Sequence, residues 1–133
     1  MDKINILALE DEEHNIKSFF RMMQVLCEPV SITIERNYEQ AIEEYNKNQY
    51  DALIVDLKLE GEDKQGEDFI REIRKNDTEI PIYILTGVEY DKVLREKFFV
   101  EKYKIKRWVK KPIYAGDFCD YLMSDFKSLL SQR

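Results

Sequence analysis

Histidine occurs once in this chain, at His14, and cysteine only twice, at Cys27 and Cys119, far apart and without metal spacing. Structural zinc and iron–sulfur centres need several such ligands, so that class of site is excluded. The two cysteines are expected to pack as small buried apolar residues. Glycine (four) and proline (three) are scarce among the 133 residues, which argues against long irregular loops and against disorder. No apolar run reaches bilayer-spanning length. The N-terminus, "MDKINILALEDEE", carries acids where a secretory signal would need its cleavage region, so the expected compartment is the cytoplasm, with no membrane partner. Basic residues are outnumbered, 21 Lys and Arg against 27 Asp and Glu, for a net charge of -6. The imbalance is uneven: nine bases and two acids lie between Lys92 and Lys111. Such a stretch reads as a solvated helix face or a dock for an acidic protein; direct nucleic-acid binding is not expected.

What the chain does have is an alternation of two patterns. "INILAL" (Ile4 to Leu9) and "ALIVDL" (Ala52 to Leu57) are continuous apolar runs, as expected of strands covered on both faces. "IPIYILTG" (Ile80 to Gly87) is a third, with Pro81 near its start, where a missing donor does least harm. "VSITIE" (Val30 to Glu35) alternates like an edge strand, and "IKRWVKKP" (Ile105 to Pro112) suits another strand near the sheet edge. Between them run helical stripes: Ile16, Phe19, Phe20, Met23 and Leu26; Ala41, Ile42 and Tyr45; Phe69, Ile70 and Ile73; Val93, Leu94, Phe98 and Phe99; and Phe118, Leu122, Phe126 and Leu129, the last with Asp117 as a candidate cap. Five strand–helix repeats predict an α/β fold of one domain over residues 1–133, a parallel sheet with helices on both faces. No output domain is expected within it.

Ligands of such sheets bind beyond the carboxyl ends of the strands. The residues there are Glu10 and Asp11, Asp56, Thr86 and Lys111. Three carboxylates held together repel unless a cation or a shared proton relieves them. Hard oxygen donors suit Mg²⁺, and a carboxylate beside it can act as a nucleophile toward a phosphoryl group. Lys111 and Thr86 would then contact the phosphoryl oxygens.

Taken together, "ILALEDEEHN", "LIVDLKL", "IPIYILTG" and "WVKKP" resemble the receiver domains of two-component response regulators, over essentially the whole chain. The resemblance implies a flavodoxin-like (βα)5 sandwich with strand order 2-1-3-4-5, and a phosphoacceptor role rather than an enzyme's. It implies Asp56 as phosphoacceptor, and Glu10, Asp11, Asp56 and the backbone carbonyl of Lys58 as magnesium ligands. Thr86 becomes the switch hydroxyl, Trp108 the switch aromatic, Lys111 the phosphate-binding lysine, and Lys111–Pro112 a cis bond. The implied partners are a sensor histidine kinase or phosphotransfer protein. A homodimer partner or a downstream protein would use the face made by the fourth helix, fifth strand and fifth helix.

Two departures from the family pattern bear on chemistry. Lys58 places an ammonium near the phosphoryl group, where many relatives carry a neutral residue, and is expected to alter the lifetime of an acyl phosphate. Gly87, after Thr86, offers no side chain to screen Asp56. The loop after Asp56, "LKLEGEDKQGEDF", is longer than usual and lacks a common proline. Two other functions compete: a pseudo-receiver that regulates by binding alone, and a phosphohydrolase resembling the haloacid dehalogenase family. The full acidic set, Thr86 and Lys111 count against the first. The second needs an Asp two residues after the nucleophile, where Lys58 stands.

Overall fold

The structure, a computed structural model, describes residues 3–11, 14–57, 65–87 and 93–127, without the side chains of 14–16 and 93–96. Lys58 and Leu129, and the side chains of His14, Ile16, Val93 and Leu94, lie outside the described residues. Five strands alternate with five helices: β1 Ile4–Leu9, α1 His14–Leu26, β2 Val30–Glu35, α2 Tyr38–Lys47, β3 Ala52–Val55, α3 Gly66–Arg74, β4 Ile82–Thr86, α4 Val93–Tyr103, β5 Arg107–Lys110 and α5 Ala115–Asp125. All pairings are parallel, in the order β2-β1-β3-β4-β5. The parallel sheet with helices on both faces is what the alternating patterns predict; the flavodoxin-like strand order is the one the resemblance to receiver domains implies.

The continuous apolar runs are explained by two cores, one on each face of the sheet. Ile4, Ile6 and Ala8 of β1, Ala52 and Ile54 of β3, and Tyr83 and Leu85 of β4 pack with Phe20 and Met23 of α1 and Phe118 and Leu122 of α5. Their neighbours Leu7, Leu9, Leu53, Val55, Ile82 and Ile84 point the other way, onto Ala41, Phe69, Ile73, Phe99 and Tyr103 of α2, α3 and α4. Successive residues of a strand face opposite sides, so a strand between two helical layers must be apolar at every position. Burying a side chain such as Phe118 or Phe69, both 0% exposed, stabilises the fold by roughly 1.5–3 kcal/mol.

Four expectations need correction. Leu26 and Phe98 lie in the helical stripes but are exposed. The α1 stripe ends instead on Cys27, and in α4 the inward position is Phe99, with Phe98 turned outward. Asp117 does not cap α5: the N-cap is Tyr114, and the Asp117 amide donates to the Tyr114 carbonyl from within the first turn. Cys27 and Cys119 are buried, as expected, but not as two separate thiols. Their sulfurs are joined as a disulfide between the end of α1 and α5, across a Cα–Cα separation of 6.0 Å that such a bridge spans. Sequence distance concealed a pair that the packing of α1 against α5 brings together.

Helix ends are set by local chemistry. Asn37 caps α2, its side-chain oxygen accepting from the Gln40 amide at 2.9 Å. At the start of α3 the Asp68 carboxylate accepts the Gln65 amide at 2.7 Å. At the far end of the molecule, buried Tyr83 donates to Asp125 at 2.7 Å. Arg107 grips the same carboxylate with two bonds of 2.8 Å. This triad ties α5 to β4 and β5. Burial alone would raise the Asp125 carboxyl, but the Arg107 and Tyr83 hydrogen bonds and the Arg107 charge outweigh it and hold its pKa low. Burial, followed by the bond to Asp125, pushes the Tyr83 phenol up.

Candidate functional site

Thr86 ends β4, and Glu10, Asp56 and Lys111 stand one residue past the ends of β1, β3 and β5, yet the ladder still holds their backbones. The amide of Glu10 donates to the Glu35 carbonyl at 3.0 Å, and that of Asp56 to the Leu9 carbonyl at 3.0 Å. The Lys111 amide reaches the Thr86 carbonyl at 2.9 Å. Glu10, Asp56 and Lys111 each follow by two positions a residue of the α1–α5 core, namely Ala8, Ile54 and Val109. Strand alternation therefore aims the three side chains toward one side from three strands. Thr86 continues the opposite phase, after Ile82 and Ile84, and its hydroxyl meets Asp56 from there.

The contacts are short. Thr86, fully buried, donates its hydroxyl to one Asp56 carboxylate oxygen at 2.7 Å. The Lys111 ammonium donates to Glu10 at 2.6 Å and to the other Asp56 oxygen at 3.3 Å. Glu10 and Asp56 are buried and Asp11 half-buried, with carboxylate oxygens of all three within 4.8 Å of one another. Among the described residues, the Lys111 ammonium stands against three carboxylates, a local excess of negative charge. Oxygen donors so grouped fit a hard divalent cation, which accepts one or two carboxylates while keeping positions for water and a phosphate oxygen.

Around this centre, Gly87 is exposed, and among the described residues a side chain placed there would meet nothing within 4 Å. The Lys111–Pro112 bond is cis. Trp108 is half-buried on β5 with its ring edge-on to Phe99 of α4 at 5.7 Å, joining the core under α4. The Lys58 carbonyl lies outside the described residues. Sequence reasoning missed Gly66. It is the first residue of α3, buried and packed against the Asp56 backbone, and its only sequence signal was a glycine opening a helical stripe.

Fold and site thus define a parallel α/β module with an acidic, lysine-bearing pocket at the carboxyl edge of its sheet. The model of the response regulator receiver domain family matches residues 6–122, and the chain belongs to that family. Among solved structures it is similar to a CheY-like receiver domain protein from Methanospirillum hungatei JF-1, with TM-score 0.81, 15% identity and all of both chains covered. It is also similar to a two-component response regulator from Clostridium difficile, with TM-score 0.76, 19% identity, 96% of this chain and 98% of that one. These show the fold. A curated relative, the uncharacterized transcriptional regulatory protein YkoG of Bacillus subtilis strain 168, is 29% identical over 87 residues, 65% of this chain. The match spans 36% of that protein's length. Receiver domains are in general signalling modules rather than enzymes, and typically bind magnesium in an acidic pocket. Among the described residues no helix is long and apolar enough to cross a membrane.

Proposed function

We propose that the chain is one phosphoacceptor receiver whose Asp56 accepts a phosphoryl group from a sensor histidine kinase or phosphotransfer protein. The observation that carries this is Asp56 itself: a buried carboxylate contacted by a hydroxyl and an ammonium, with two further carboxylates beside it. Phosphoryl transfer asks little covalent chemistry of a protein, mainly positioning and charge neutralisation. Glu10, Asp11 and Asp56 would hold Mg²⁺, which, when bound, supplies charge neutralisation for the phosphoryl oxygens; the Lys58 carbonyl is the further ligand proposed. An Asp56 oxygen attacks phosphorus, an O–P bond forms, and the bond from phosphorus to the donor atom breaks. Lys111 leaves Asp56 for the phosphoryl oxygens, and the Thr86 hydroxyl turns from the carboxylate to the same group.

The consequence is carried outward along β4 and β5. Thr86 ends β4, paired with Lys110, and Ile84 is paired with Trp108, whose ring rests on Phe99 of α4. A shift at Thr86 therefore reaches the face formed by α4, β5 and α5, the proposed seat of a downstream partner or second copy. Exposed Phe98 and a groove of about 480 Å³ lined by Trp108, Lys110, Ile113 and Tyr121 support that assignment. The bases Lys97 and Lys102 of α4 and Arg107 and Lys110 of β5 favour an acidic protein there. The proposed compartment is the cytoplasm.

Incubation with Mg²⁺ and acetyl phosphate, followed by weighing the intact protein beside Asp56→Asn, tests the assignment. One phosphoryl adduct in the parent alone is expected. No adduct in either would favour a module that regulates by binding alone, and sustained hydrolysis of varied phosphate esters would favour a phosphohydrolase.

A further inference from the structure

Gly66 has no chemistry of its own, but its position is unusual. A Cβ built on it would collide with the Asp56 carbonyl oxygen and stand 2.8 Å from the carbonyl carbon and 2.8 Å from the Leu57 Cα. All three are backbone atoms, so no side-chain rotation could make room. Gly66 also does not occupy the left-handed region, so backbone conformation is not what demands a glycine here. Close approach is. By contrast, a Cβ on Gly116 would find only an ordinary contact, at 3.8 Å from Leu26, and one on Gly87 would meet nothing within 4 Å among the described residues.

The start of α3 is thus seated flush against the peptide that leaves Asp56. The Asp56 amide is held by the Leu9 carbonyl at 3.0 Å, and the next residue's carbonyl, Leu57, accepts the Gly66 amide at 3.1 Å. The phosphoacceptor's backbone is gripped on both sides, and its carboxylate is aimed from that grip at Thr86 (2.7 Å) and Lys111 (3.3 Å). We infer that Gly66 is a positioning residue for Asp56: its missing side chain lets α3 fix the peptide from which the carboxylate reaches the metal and the phosphoryl donor. This rests on Asp56 being the phosphoacceptor.

Three variants separate positioning from plain stability. Gly66→Ala pushes directly on the Asp56 carbonyl. Asp68→Ala removes the acceptor of the Gln65 amide and loosens the first turn of α3 without touching Asp56. Ile73→Ala opens a cavity in the same helix near its other end and serves as a destabilised control. Phosphoryl uptake from acetyl phosphate, Mg²⁺ affinity by calorimetry, and hydrogen exchange of the Asp56 and Leu57 amides in metal-free protein are measured well below each melting temperature. Gly66→Ala is expected to slow uptake at least about tenfold, weaken Mg²⁺ binding about threefold or more and speed exchange, as misplacement of a reacting group by a fraction of an ångström does. Asp68→Ala should slow uptake about two- to fivefold, and Ile73→Ala should stay within about twofold of the parent. Should Gly66→Ala fail to fold, Asp68→Ala decides. Parental uptake in the deciding variant, or an equal loss in Ile73→Ala, overturns the positioning role. If the parent takes up no phosphoryl group, the phosphoacceptor role fails separately. Mg²⁺ affinity and amide exchange then decide for Gly66, and parental values of both overturn it.

Discussion

Lys111 and Asp56 touch, yet replacing each should move stability in opposite directions. Lys111→Met removes the ammonium from between two buried carboxylates and should cost roughly 1–3 kcal/mol, less than a fully buried pair because the lysine keeps 18% exposure. Asp56→Asn removes one negative charge from three, while its amide oxygen can still accept from Thr86. In metal-free buffer it should match the parent or exceed it by about 1 kcal/mol. Urea titrations of both variants check the signs; an Asp56→Asn protein clearly weaker than the parent would mean that repulsion in the pocket is already relieved. In this candidate site Glu10 and Asp56 were legible because a carboxylate ending an apolar run is locally anomalous. Gly66 was not, because a close backbone approach leaves no trace in sequence beyond the glycine itself.

At the scale of elements, α4 and α5 are held by polar anchors at particular points. Arg74 of α3 donates to the carbonyls of Tyr103 and Lys104 at the end of α4, at 2.8 and 3.1 Å, and to Asp77 at 3.0 Å. Lysine cannot reproduce that fork, so Arg74→Lys should cost about 1–3 kcal/mol and speed amide exchange in the last turn of α4. Asp125 anchors the end of α5, with a folded pKa below its ordinary value because Arg107 and Tyr83 favour the charged form over the cost of burial. A depressed carboxyl contributes stability above its unfolded pKa of about 3.9 and loses it as pH falls through the folded value. The deficit of Asp125→Asn should therefore be full at neutral pH, about 1–2 kcal/mol after screening at the part-exposed Arg107, and close in acid, below about pH 4. Thermal unfolding of parent and variant across that range tests the window; a gap that widens in acid would contradict it. The strands themselves were readable, because two covered faces impose apolar residues at every position. Stripes near helix ends were not: Leu26 and Phe98 satisfy the helical period but fall where no neighbouring layer covers them. The bonds from Arg74 to the end of α4, the Tyr83–Asp125 bond and the Cys27–Cys119 bridge join residues remote in sequence, and periodicity carries no such information.

For the whole molecule, the sheet order matters most, because β1 and β3 lie side by side at its centre and bring Glu10, Asp11 and Asp56 to one edge. A cation bound there only in the folded state must stabilise it, by about 2.7 kcal/mol at a hundred times its dissociation constant. Adding Mg²⁺ should thus raise the parent's melting temperature by several degrees, chelator should reverse the rise, and Asp11→Asn should blunt it. The most direct measurement concerns the atom proposed to receive phosphorus. Protein treated with acetyl phosphate and Mg²⁺ is reduced with borohydride, which converts an acyl phosphate to an alcohol, and its peptides are sequenced by mass. Homoserine at position 56, absent when Mg²⁺ is chelated, is the expected result. An unmodified Asp56, or phosphate held on any other residue, would contradict the phosphoacceptor role.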